Sequence, residues 1–422
     1  MKIIFDADTL LPIASKVASR SGIFFSAFSL LKEFEKTHEV ILYTSDKAFQ
    51  IVKNHSLLSH YPRIEPRRYW SRKLSYLYRL RLFLDAYRKN LLIRLFCRSI
   101  TFLILCLDRN FKDQSRWCDK IRDRGEQYVF FSAYHTQGSR LEIPSFTLLH
   151  DVIPAVCSDY FQGYHLFEHY VIKYLSPSSY YFANSYYTKA DFLKLFPEKL
   201  DEEKIKVTHL GASERFLQDF DEEKNQNIRE KYRIPKGKQY IFSLCTLEPR
   251  KNLLFVIENF LELLEKEGIE DLIFVLGGGY WNEFIGKIEE RFKQSKGRVL
   301  HVGYVDDEDL ANLFSHSLCS VYLSLYEGFG LPVLESMQCG CPVIASNTTS
   351  IPEIVGESGI LIDPKDKDAL QASILKLYRS PSLRENLSQK GLQRAKEFSW
   401  EKCARAMLEY MEEVVEKIKT RN

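Results

Sequence analysis

Short apolar runs alternate with amphipathic segments along the first half of the chain. Lys2–Phe5 predicts a β-strand, Ile23–Phe34 a helix, and Glu39–Thr44 a second strand. A strand, a helix and a strand at this spacing predict a βαβ unit, and hence a parallel sheet. Three later segments also predict strands: Tyr128–Ser132, Phe146–His150 and Ser179–Asn184, the last of which precedes a Ser/Tyr/Thr turn and a helix.

The second half begins after Gly211 and alternates strands with helices more regularly. Its predicted strands are Tyr240–Leu244, Leu272–Leu276, Val299–Val302, Ser320–Ser324 and Pro342–Ala345. Its predicted helices are Asn252–Lys266, Asp307–Ser315, Leu331–Cys339 and Met407–Lys419. The pattern therefore predicts an α/β fold of two doubly wound domains, with a boundary near residues 207–213. In such a pair the carboxyl ends of the strands face a cleft, where open α/β sheets bind ligands.

Composition fits a soluble globular protein, but the charge is unevenly distributed. Of 422 residues, 45% are hydrophobic and 27% are charged, and the formal net charge is +3. Residues 1–200 contain 29 Lys and Arg against 19 Asp and Glu, whereas residues 201–422 contain 30 against 37. Residues 51–100 hold most of the excess, with 12 basic and two acidic side chains. Such a field attracts phosphates, nucleic acid or acidic lipid; a solvated helical face is the alternative.

Residues 60–125 read as basic, aromatic helices inserted between the early and late strands of the first domain. Within them, the apolar run Leu91–Leu107 is a membrane candidate. It carries Arg94 and Arg98 and is shorter than the roughly 20 apolar residues that span a bilayer. Two interpretations stay open: a helix lying on a bilayer surface, or a core helix with two arginines at its edge.

The cysteines and the N-terminus indicate a cytoplasmic location. Nine cysteines are present, and none forms a C-x-x-C pair. Cys339 and Cys341 lie in an apolar stretch, which is unlike a zinc site. A chain of this length does not need disulfides, so reduced, mostly buried thiols are expected. Residues 1–15 lack the layout of a signal peptide, because acidic residues interrupt their short apolar run.

The segment YEGFGLPVLE carries two carboxylates, Glu327 and Glu335, separated by seven residues. A strand is predicted to end just before it, near residue 325, and a helix to begin near Leu331. Gly328 and Gly330 allow the backbone to approach a ligand closely, and the amides at the helix start attract an anion. Two separated acceptors suit two hydroxyl-bearing parts of one ligand; helix-capping acids on a surface loop are the alternative.

The segment TLEPRKN follows the predicted strand Tyr240–Leu244 and precedes a helix. Its adjacent Arg250 and Lys251 can hold a diphosphate, Arg as a planar fork and Lys as a point charge. Fixed cations stabilise the charge that grows on a diphosphate leaving group, and they do so without a metal. Solvated basic residues at a helix start are the alternative.

Two further loops follow predicted strands and contain glycine. Gly277 and Gly278 close one strand, and Tyr304 and Val305 follow another. Together they predict a flat pocket for a base with Tyr304 beside it, although glycine clusters are also common in ordinary turns.

Two residues of the first half are weaker candidates. His150 ends a predicted strand, where a histidine can reach a sugar hydroxyl or an acceptor; a hydrogen-bonded buried histidine is the alternative. Gly22 opens the first long helix, whose amides can face a diphosphate, or it forms a plain turn.

These motifs resemble those of the retaining glycosyltransferase family 4, which includes bacterial mannosyltransferases of polysaccharide and O-antigen assembly. The resemblance is dense over about residues 205–400, in KVTHLGA, LCTLEPRKN, HVGYV, LYEGFGLPVLESMQCGCPVIAS and SIPEIVGESGILIDP. It is thinner in SRSGIFFSAF, LLHDVIP and ANSYYTKADF, and residues 55–125 match no segment of the family.

The resemblance implies a role for each residue of the acidic loop. Glu335 is expected to accept from the ribose hydroxyls of a nucleotide sugar. Glu327 is expected to contact the transferred sugar, together with the amides of Phe329, Gly330 and Leu331.

It also implies a cationic half of the site, with two departures from the family. Lys251 matches the phosphate-binding lysine, and His150 matches a histidine near the donor sugar. The family often has Arg where this chain has Thr246, and Gly where it has Cys245. Arg250 is the expected substitute for the missing arginine.

The resemblance further implies a GT-B fold and its division into domains. Residues 1–208 are expected to form a Rossmann-like acceptor domain with an insertion at about 55–125, and residues 209–396 the donor domain. Residues 397–422 form a C-terminal helix that crosses back to the first domain. The implied reaction is transfer on the front face with retention, in which the leaving phosphate takes the acceptor proton. No metal or other cofactor is expected, because the GT-B enzymes that the chain resembles do not need a metal for catalysis.

The expected function is transfer of a sugar, with mannose from GDP-mannose favoured over UDP- or dTDP-sugars, to a glycan or polyprenyl-diphosphate-linked acceptor. No nucleic-acid partner is expected. The basic stretch 63–98 is expected to contact anionic membrane peripherally, on the inner face of the cytoplasmic membrane. Two other functions stay open, namely a GT-B nucleotide-sugar epimerase and a non-catalytic partner subunit of a glycosyltransferase.

Overall fold

The structure is a computed structural model, and its described residues form two compact units. The described ranges are 1–14, 22–43, 53–64, 126–134, 143–157, 164, 167–168, 171–279 and 285–421. The first unit comprises Met1–Thr147, Tyr170–Leu175 and Met411–Asn422, and the second comprises Leu148–His169 and Ser176–Tyr410.

A parallel sheet organises the first unit. Its strands are β1 (Lys2–Asp6), β2 (Glu39–Tyr43), β3 (Arg63–Ile64), β4 (Tyr128–Ser132) and β5 (Ser145–Leu149, whose last two residues belong to the second unit). They lie in the order β3-β2-β1-β4-β5, and α1 (Gly22–Phe34) connects β1 to β2. β1 pairs in parallel with both β2 and β4, so the direction of strand progression reverses at β1, as in a doubly wound sheet.

Burial on both faces explains why these strands are almost continuously apolar. Every residue of β4 and β5 is buried, as expected for parallel strands that are covered on both sides. The rings of Phe5, Phe34 and Phe131 pack together, with centroids 5.1–6.4 Å apart. The end of α1 is therefore fixed against the centre of the sheet.

The second unit begins with a short α/β segment. Its elements are α2 (Ile153–Val156), β6 (Tyr180–Ala183), α3 (Tyr186–Leu195) and β7 (Ile205–Val207), and β6 pairs in parallel with β7. The hydroxyl oxygen of Ser185, the N-cap of α3, accepts a hydrogen bond from the Thr188 amide at 2.9 Å. The predicted Ser/Tyr/Thr turn is therefore a capped helix start.

A six-stranded parallel sheet forms the rest of the second unit. Its strands are β8 (Gln239–Leu244), β9 (Leu272–Gly277), β10 (Val299–Gly303), β11 (Ser320–Tyr322), β12 (Val343–Ser346) and β13 (Ile360–Ile362), in the order β10-β9-β8-β11-β12-β13. The helices are α4 (Glu222–Lys231), α5 (Leu253–Glu267), α6 (Ile285–Gln294), α7 (Leu310–Ser315), α8 (Leu331–Gln338), α9 (Ile351–Val355), α10 (Lys367–Arg379), α11 (Pro381–Ala395) and α12 (Trp400–Arg421, which belongs to the first unit from Met411 onward).

The core of this unit explains the spacing of its apolar residues. Phe242 of β8 and Phe314 of α7 pack edge to face with centroids 4.9 Å apart, and Val275 of β9 joins the same cluster. On α5, buried residues recur at helical spacing: Leu253, Val256, Ile257, Phe260, Leu263 and Leu264. One face of α5 is therefore apolar and buried.

The predicted elements agree in type with the observed ones except at β3, and most boundaries agree within one or two residues. β3 is a strand at the start of residues 60–125, where helices were expected, because it pairs in parallel with β2. α12 is longer than predicted because it begins at Trp400, where the Ser399 hydroxyl accepts from the Lys402 amide at 3.1 Å. α7 begins at Leu310 rather than Asp307, and β11 ends at Tyr322, before the predicted strand end. The pattern did not predict β7, β13, α2, α4, α6, α9, α10 and α11. The six described cysteines are free, and all but Cys157 are buried.

Four expectations from the sequence are not decided by these elements. The membrane candidate Leu91–Leu107, and all but the first two residues of the basic stretch 63–98, lie outside the described residues. In the described part of the chain, no helix has the length and apolarity needed to cross a bilayer. The predicted domain boundary lies between β7 and β8, and it stays a prediction, as does the crossing of the last helix.

Two glycine-to-alanine substitutions should change stability in opposite directions. A Cβ at Gly211 would lie 2.3 Å from the backbone nitrogen of Trp400, whereas a Cβ at Gly391, inside α11, would make ordinary contacts at 3.6–3.7 Å with Met337. We expect Gly211→Ala to lower the free energy of unfolding by about 2 kcal/mol. Gly391→Ala should raise it by roughly 0.5 kcal/mol, because it removes a flexible residue from a helix. Urea denaturation measures both, and equal stabilities of the two variants would contradict the assigned packing.

Candidate functional site

The loops after β8 and β11 lie side by side at the carboxyl edge of the six-stranded sheet. β8 pairs with β9 on one side and with β11 on the other, and all these pairings are parallel. The sheet order therefore reverses between β8 and β11. Ligands of open α/β sheets bind at such a reversal point, and both chemically distinctive segments of the sequence occur there.

The TLEPRKN loop is a tight structure that holds its cations toward the acidic loop. Pro249–Lys251 forms a single 3₁₀ turn, and Asn252 is in the left-handed region with φ 58°. The Arg250 carbonyl accepts from the Leu325 amide at 2.8 Å, and the Arg250 guanidinium donates to the Tyr326 carbonyl at 2.8 Å. Two segments about 75 residues apart in sequence are thus cross-linked through one residue.

Glu327 forms ion pairs with both cations of this loop. Its Oε1 lies 2.6 Å from Lys251 Nζ and 2.8 Å from Arg250 Nη1. Burial opposes ionisation of Glu327, but the positive charges of Lys251 and Arg250 outweigh it and lower the pKa of the carboxyl to about 2. Arg250 also pairs with Glu248 at 2.7 Å. The cluster therefore contains two buried cations and two carboxylates.

Tyr322 is a third partner of the Lys251–Glu327 pair. Its hydroxyl accepts from Lys251 Nζ at 2.5 Å and donates to Glu327 Oε1 at 2.9 Å. Lys251 Nζ also lies 4.8 Å from the centre of the Tyr322 ring, within range of a cation–π contact. Burial, reinforced by the charge of Glu327, raises the pKa of Tyr322 well above its ordinary value. The phenol is therefore protonated and able to donate.

The cations retain donors that no described residue satisfies. Arg250 Nε is buried without a partner among the described residues. The Lys251 ammonium has three N–H groups, of which Glu327 and Tyr322 take two. Buried donors of this kind are costly to leave unpaired. They are suited to an anion that binds at the loop.

The backbone of Glu327 is fixed by the loop after β12. Its amide donates to the Thr349 hydroxyl at 3.2 Å, and its carbonyl accepts from the Ser350 hydroxyl at 3.0 Å. Thr349 has φ 56°, a conformation that β-branched residues seldom adopt. The site thus holds a strained residue at a point that supports the acid.

Gly328 is required by a protein contact rather than by the ligand approach expected from the sequence. A Cβ there would lie 2.3 Å from the His150 carbonyl oxygen. The Gly328 carbonyl accepts from the Ser185 and Thr188 hydroxyls at 2.7 and 3.0 Å. The acidic loop is therefore anchored on the start of α3. His150 meets the loop through its backbone.

The start of α8 fits the predicted anion-binding amides. Gly330 has φ 115° and precedes Leu331, the first residue of the helix. Phe329 is buried, with its ring next to His209 and Phe398. The amides of Phe329, Gly330 and Leu331 donate to no other described residue. They are available to an anion at the helix N-terminus.

Glu335 lies in α8 apart from the cation cluster. Burial raises the pKa of its carboxyl to about 7, with nearby Arg215 lowering it and Asp307 raising it. The residue keeps some solvent exposure, whereas its carboxyl is surrounded by protein. Arg215 and Asp307 form an ion pair beside it at 2.5 Å. The two acids of YEGFGLPVLE therefore have opposite pKa shifts.

The remaining predicted residues occupy several places. Gly277 is buried, and a Cβ there would lie 2.9 Å from Val305. A Cβ on Gly278, which has φ 126°, would lie 2.0 Å from the Cys245 carbonyl oxygen. The conformation and packing of the protein thus account for both glycines. Tyr304 is 59% exposed, Val305 is buried in the core, and Thr246 is exposed. Gly22 begins α1 in the first unit.

Sequence reasoning missed four side chains of the site. Tyr322 lies in a predicted apolar strand and has no distinguishing pattern around it. Glu248 is part of the segment TLEPRKN, but the sequence alone assigns it no role. Asp151, whose pKa burial raises, interacts electrostatically with Arg250 and Glu327. Arg215 has no motif around it. Only Glu248 and Asp151 could have been found from the sequence, because each lies within two residues of a predicted site residue, Arg250 or His150.

The comparison with protein families coincides with this site. The family model described as "Glycosyl transferases group 1" matches residues 224–394, which include both loops. The likeness to this family therefore concerns residues 224–394, which include Arg250, Lys251, Glu327 and Glu335.

Two curated relatives of this chain are mannosyltransferases of Escherichia coli. The O-antigen chain mannosyltransferase B is 36% identical over 219 residues, which are 51% of this chain and 56% of that protein. A serotype-specific mannosyltransferase is 28% identical over 275 residues, 62% of this chain and 32% of that protein. The matched regions thus span about half or less of each relative's length.

Solved structures establish the GT-B fold predicted for this chain. The Anabaena protein HepE, in complex with UDP and glucose, gives a TM-score of 0.66 at 14% identity and covers 98% of this chain and 100% of that chain. WaaG, a glycosyltransferase involved in lipopolysaccharide biosynthesis, gives 0.57 at 13% identity, with 96% and 97% covered. At these identities the likeness concerns the fold.

Removing Glu327 should destabilise the protein far more than breaking an equally short surface pair. Glu262 and Lys367 are also 2.6 Å apart, but their side chains are 50% and 45% exposed. We expect Glu327→Ala to lower the free energy of unfolding by about 3 kcal/mol, because it leaves the buried Lys251 without a carboxylate partner and removes one of the two carboxylates that pair with Arg250. Glu262→Ala should leave the free energy of unfolding nearly unchanged, because solvent screens the exposed pair. Denaturant unfolding at pH 7 measures both, and similar losses would refute the buried network.

The raised pKa of Glu335 should make stability fall with rising pH. The folded chain binds the proton of the Glu335 carboxyl more tightly than the unfolded chain does. As pH rises from 4.5, the ordinary pKa, through about 7, this proton is released, and the stability that it contributes is lost. We expect the free energy of unfolding to decrease by roughly 1–3 kcal/mol across this interval. Glu335→Gln should remove the decrease, whereas Glu265→Gln, at an exposed position of α5, should keep it. A constant difference between Glu335→Gln and wild type from pH 4.5 to 8 would contradict the assignment.

Proposed function

We propose that the chain is a retaining glycosyltransferase that moves mannose from GDP-mannose to a glycan or polyprenyl-diphosphate-linked acceptor in cell-surface polysaccharide synthesis. The observation that carries the proposal is the set of unsatisfied donors on Lys251 and Arg250, to which the unpaired amides at the start of α8 add. A diphosphate supplies the oxygens that such donors need. The choice of mannose rests on the two Escherichia coli relatives, whose names describe mannosyltransferases.

In the proposed reaction the acceptor hydroxyl attacks the anomeric carbon from the face that the phosphate leaves. The bond from this carbon to the phosphate oxygen breaks, a glycosidic bond forms on the same face, and the departing phosphate takes the acceptor proton. Lys251, Arg250 and the α8 amides stabilise the charge that grows on the nucleoside diphosphate. Glu327 contacts the transferred sugar, and Glu335 accepts from the ribose hydroxyls.

Three further roles belong to the proposal. Tyr304 lies beside the base, and its exposed ring supports this position. His150 contacts the donor sugar or the acceptor. No metal takes part, because fixed cations already supply the positive charge at the diphosphate.

We also propose that the protein works on the inner face of the cytoplasmic membrane, bound through the basic residues of 63–98. Flotation with vesicles of neutral lipid and with vesicles containing anionic lipid distinguishes charge-dependent binding from none. Equal recovery with both vesicles would remove this part of the proposal.

Lys251 should be essential for donor turnover. We expect Lys251→Met to lower kcat/KM for the nucleotide sugar by about 100-fold or more, because a charge at the leaving group is lost. Lys266→Met, at an exposed position of α5, is the matched control and should behave as wild type. The assay follows release of nucleoside diphosphate from GDP-, UDP- and dTDP-sugars with chelator present.

Donor binding can be measured apart from turnover. GDP should raise the melting temperature of wild type more than UDP or dTDP does, and Lys251→Met should abolish the rise. Conversion of the donor without an acceptor would favour an epimerase. Absence of both turnover and nucleotide-dependent stabilisation would indicate a non-catalytic subunit.

A further inference from the structure

Tyr322 lies beneath the site and is distinguished from other buried tyrosines by its partners. Only 5% of its surface is exposed, so it has little access to a bound donor. Its hydroxyl bridges the two charged side chains to which the proposed function gives separate tasks. It accepts from Lys251, at the leaving phosphate, and donates to Glu327, at the transferred sugar.

We propose that Tyr322 is a positioning residue for glycosyl transfer, which holds Lys251 and Glu327 in the geometry that the reaction uses. This inference rests on the proposed function and extends it to a residue that contacts neither donor nor acceptor. The phenol does so by occupying one N–H of Lys251 and one lone pair of Glu327 at the same time.

The effect on Lys251 follows from the number of its donors. Glu327 and Tyr322 each accept a hydrogen bond from one N–H of Lys251, and these two bonds fix the direction in which the third N–H points. Without the phenol oxygen, two N–H groups lack an acceptor, and the single bond that remains to Glu327 no longer holds Lys251 Nζ at its present position. The donor that faces a phosphate oxygen then loses its fixed direction.

The effect on Glu327 follows from the convergence of donors on one atom. Lys251, Arg250 and Tyr322 all meet Oε1. Three donors on one oxygen fix the rotation of the carboxylate, so Oε2 keeps a constant direction. Loss of the Tyr322 bond leaves two donors, both carried by long cationic side chains.

Positioning should affect kcat more than KM. The charge on the departing phosphate is greater in the transition state than in the bound donor, so a misaligned Lys251 weakens the transition state most. A purely structural role for Tyr322 would instead change stability and the amount of folded enzyme, leaving kcat per folded molecule unchanged.

The test compares Tyr322→Phe with Tyr240→Phe. Tyr240 is fully buried in the same unit, and its hydroxyl donates to the Leu313 carbonyl at 2.8 Å, away from the cation cluster. We expect Tyr322→Phe to lower kcat about tenfold and to raise KM for the donor less than threefold. Tyr240→Phe should keep the kcat of wild type. Equal kcat values for the two variants, per folded molecule, would overturn the proposal.

A double-mutant cycle tests the route of the effect. If Tyr322 acts through Lys251, then Tyr322→Phe should reduce kcat much less in the Lys251→Met background than in wild type. Equal fold-changes in both backgrounds would overturn the proposal. Tyr322→Met, which also lacks the hydroxyl, replaces Tyr322→Phe in each comparison if the phenylalanine variant does not fold.

A crystal structure of Tyr322→Phe separates this inference from the proposed function. We expect displacement of Lys251 Nζ from its 2.6 Å contact with Glu327 Oε1. An unchanged contact would overturn the positioning role whatever the enzyme turns over. A wild-type protein that uses no nucleotide sugar would refute the proposed function, and the geometry of the variant would still decide the role of Tyr322.

Discussion

One carboxylate oxygen, Oε1 of Glu327, joins the two loops of the site. Lys251, Arg250 and Tyr322 converge on it from the β8 loop and from the end of β11. Because the atoms are buried, none of them can exchange its partner for water at low cost. Each loop therefore keeps its course only while the other is in place, and the charge state of Glu327 depends on this contact.

The parallel sheet makes this contact possible between segments that are far apart in sequence. β8 and β11 are neighbours, although β9 and β10 lie between them along the chain. Their carboxyl ends open side by side, so the loop that follows each strand meets the other loop. Strand order thus brings the cations and the acid together before any ligand is present.

The sequence predicted those parts of the structure that have a local signal. Buried parallel strands such as Leu272–Gly277 are continuous apolar runs, and the segments around Lys251 and Glu327 carry unusual residue combinations. Tyr322 and Arg215 could not be predicted, because their roles arise from tertiary contacts that leave no local pattern. The short strand Ile360–Ile362 was missed for a related reason, since three residues give no readable period.

The packing of Gly328 has a consequence for exchanging parts between related proteins. The loop that bears Glu327 touches the main chain at His150 and the hydroxyls of Ser185 and Thr188. A chimera that takes only this loop from a related protein places it against residues at those three positions with which it did not evolve to pack. Evolution faces the same restriction, since any insertion near Gly328 must be matched more than a hundred residues earlier in the chain. Donor preference is thus expected to diversify through side chains around the loop, while its backbone path persists.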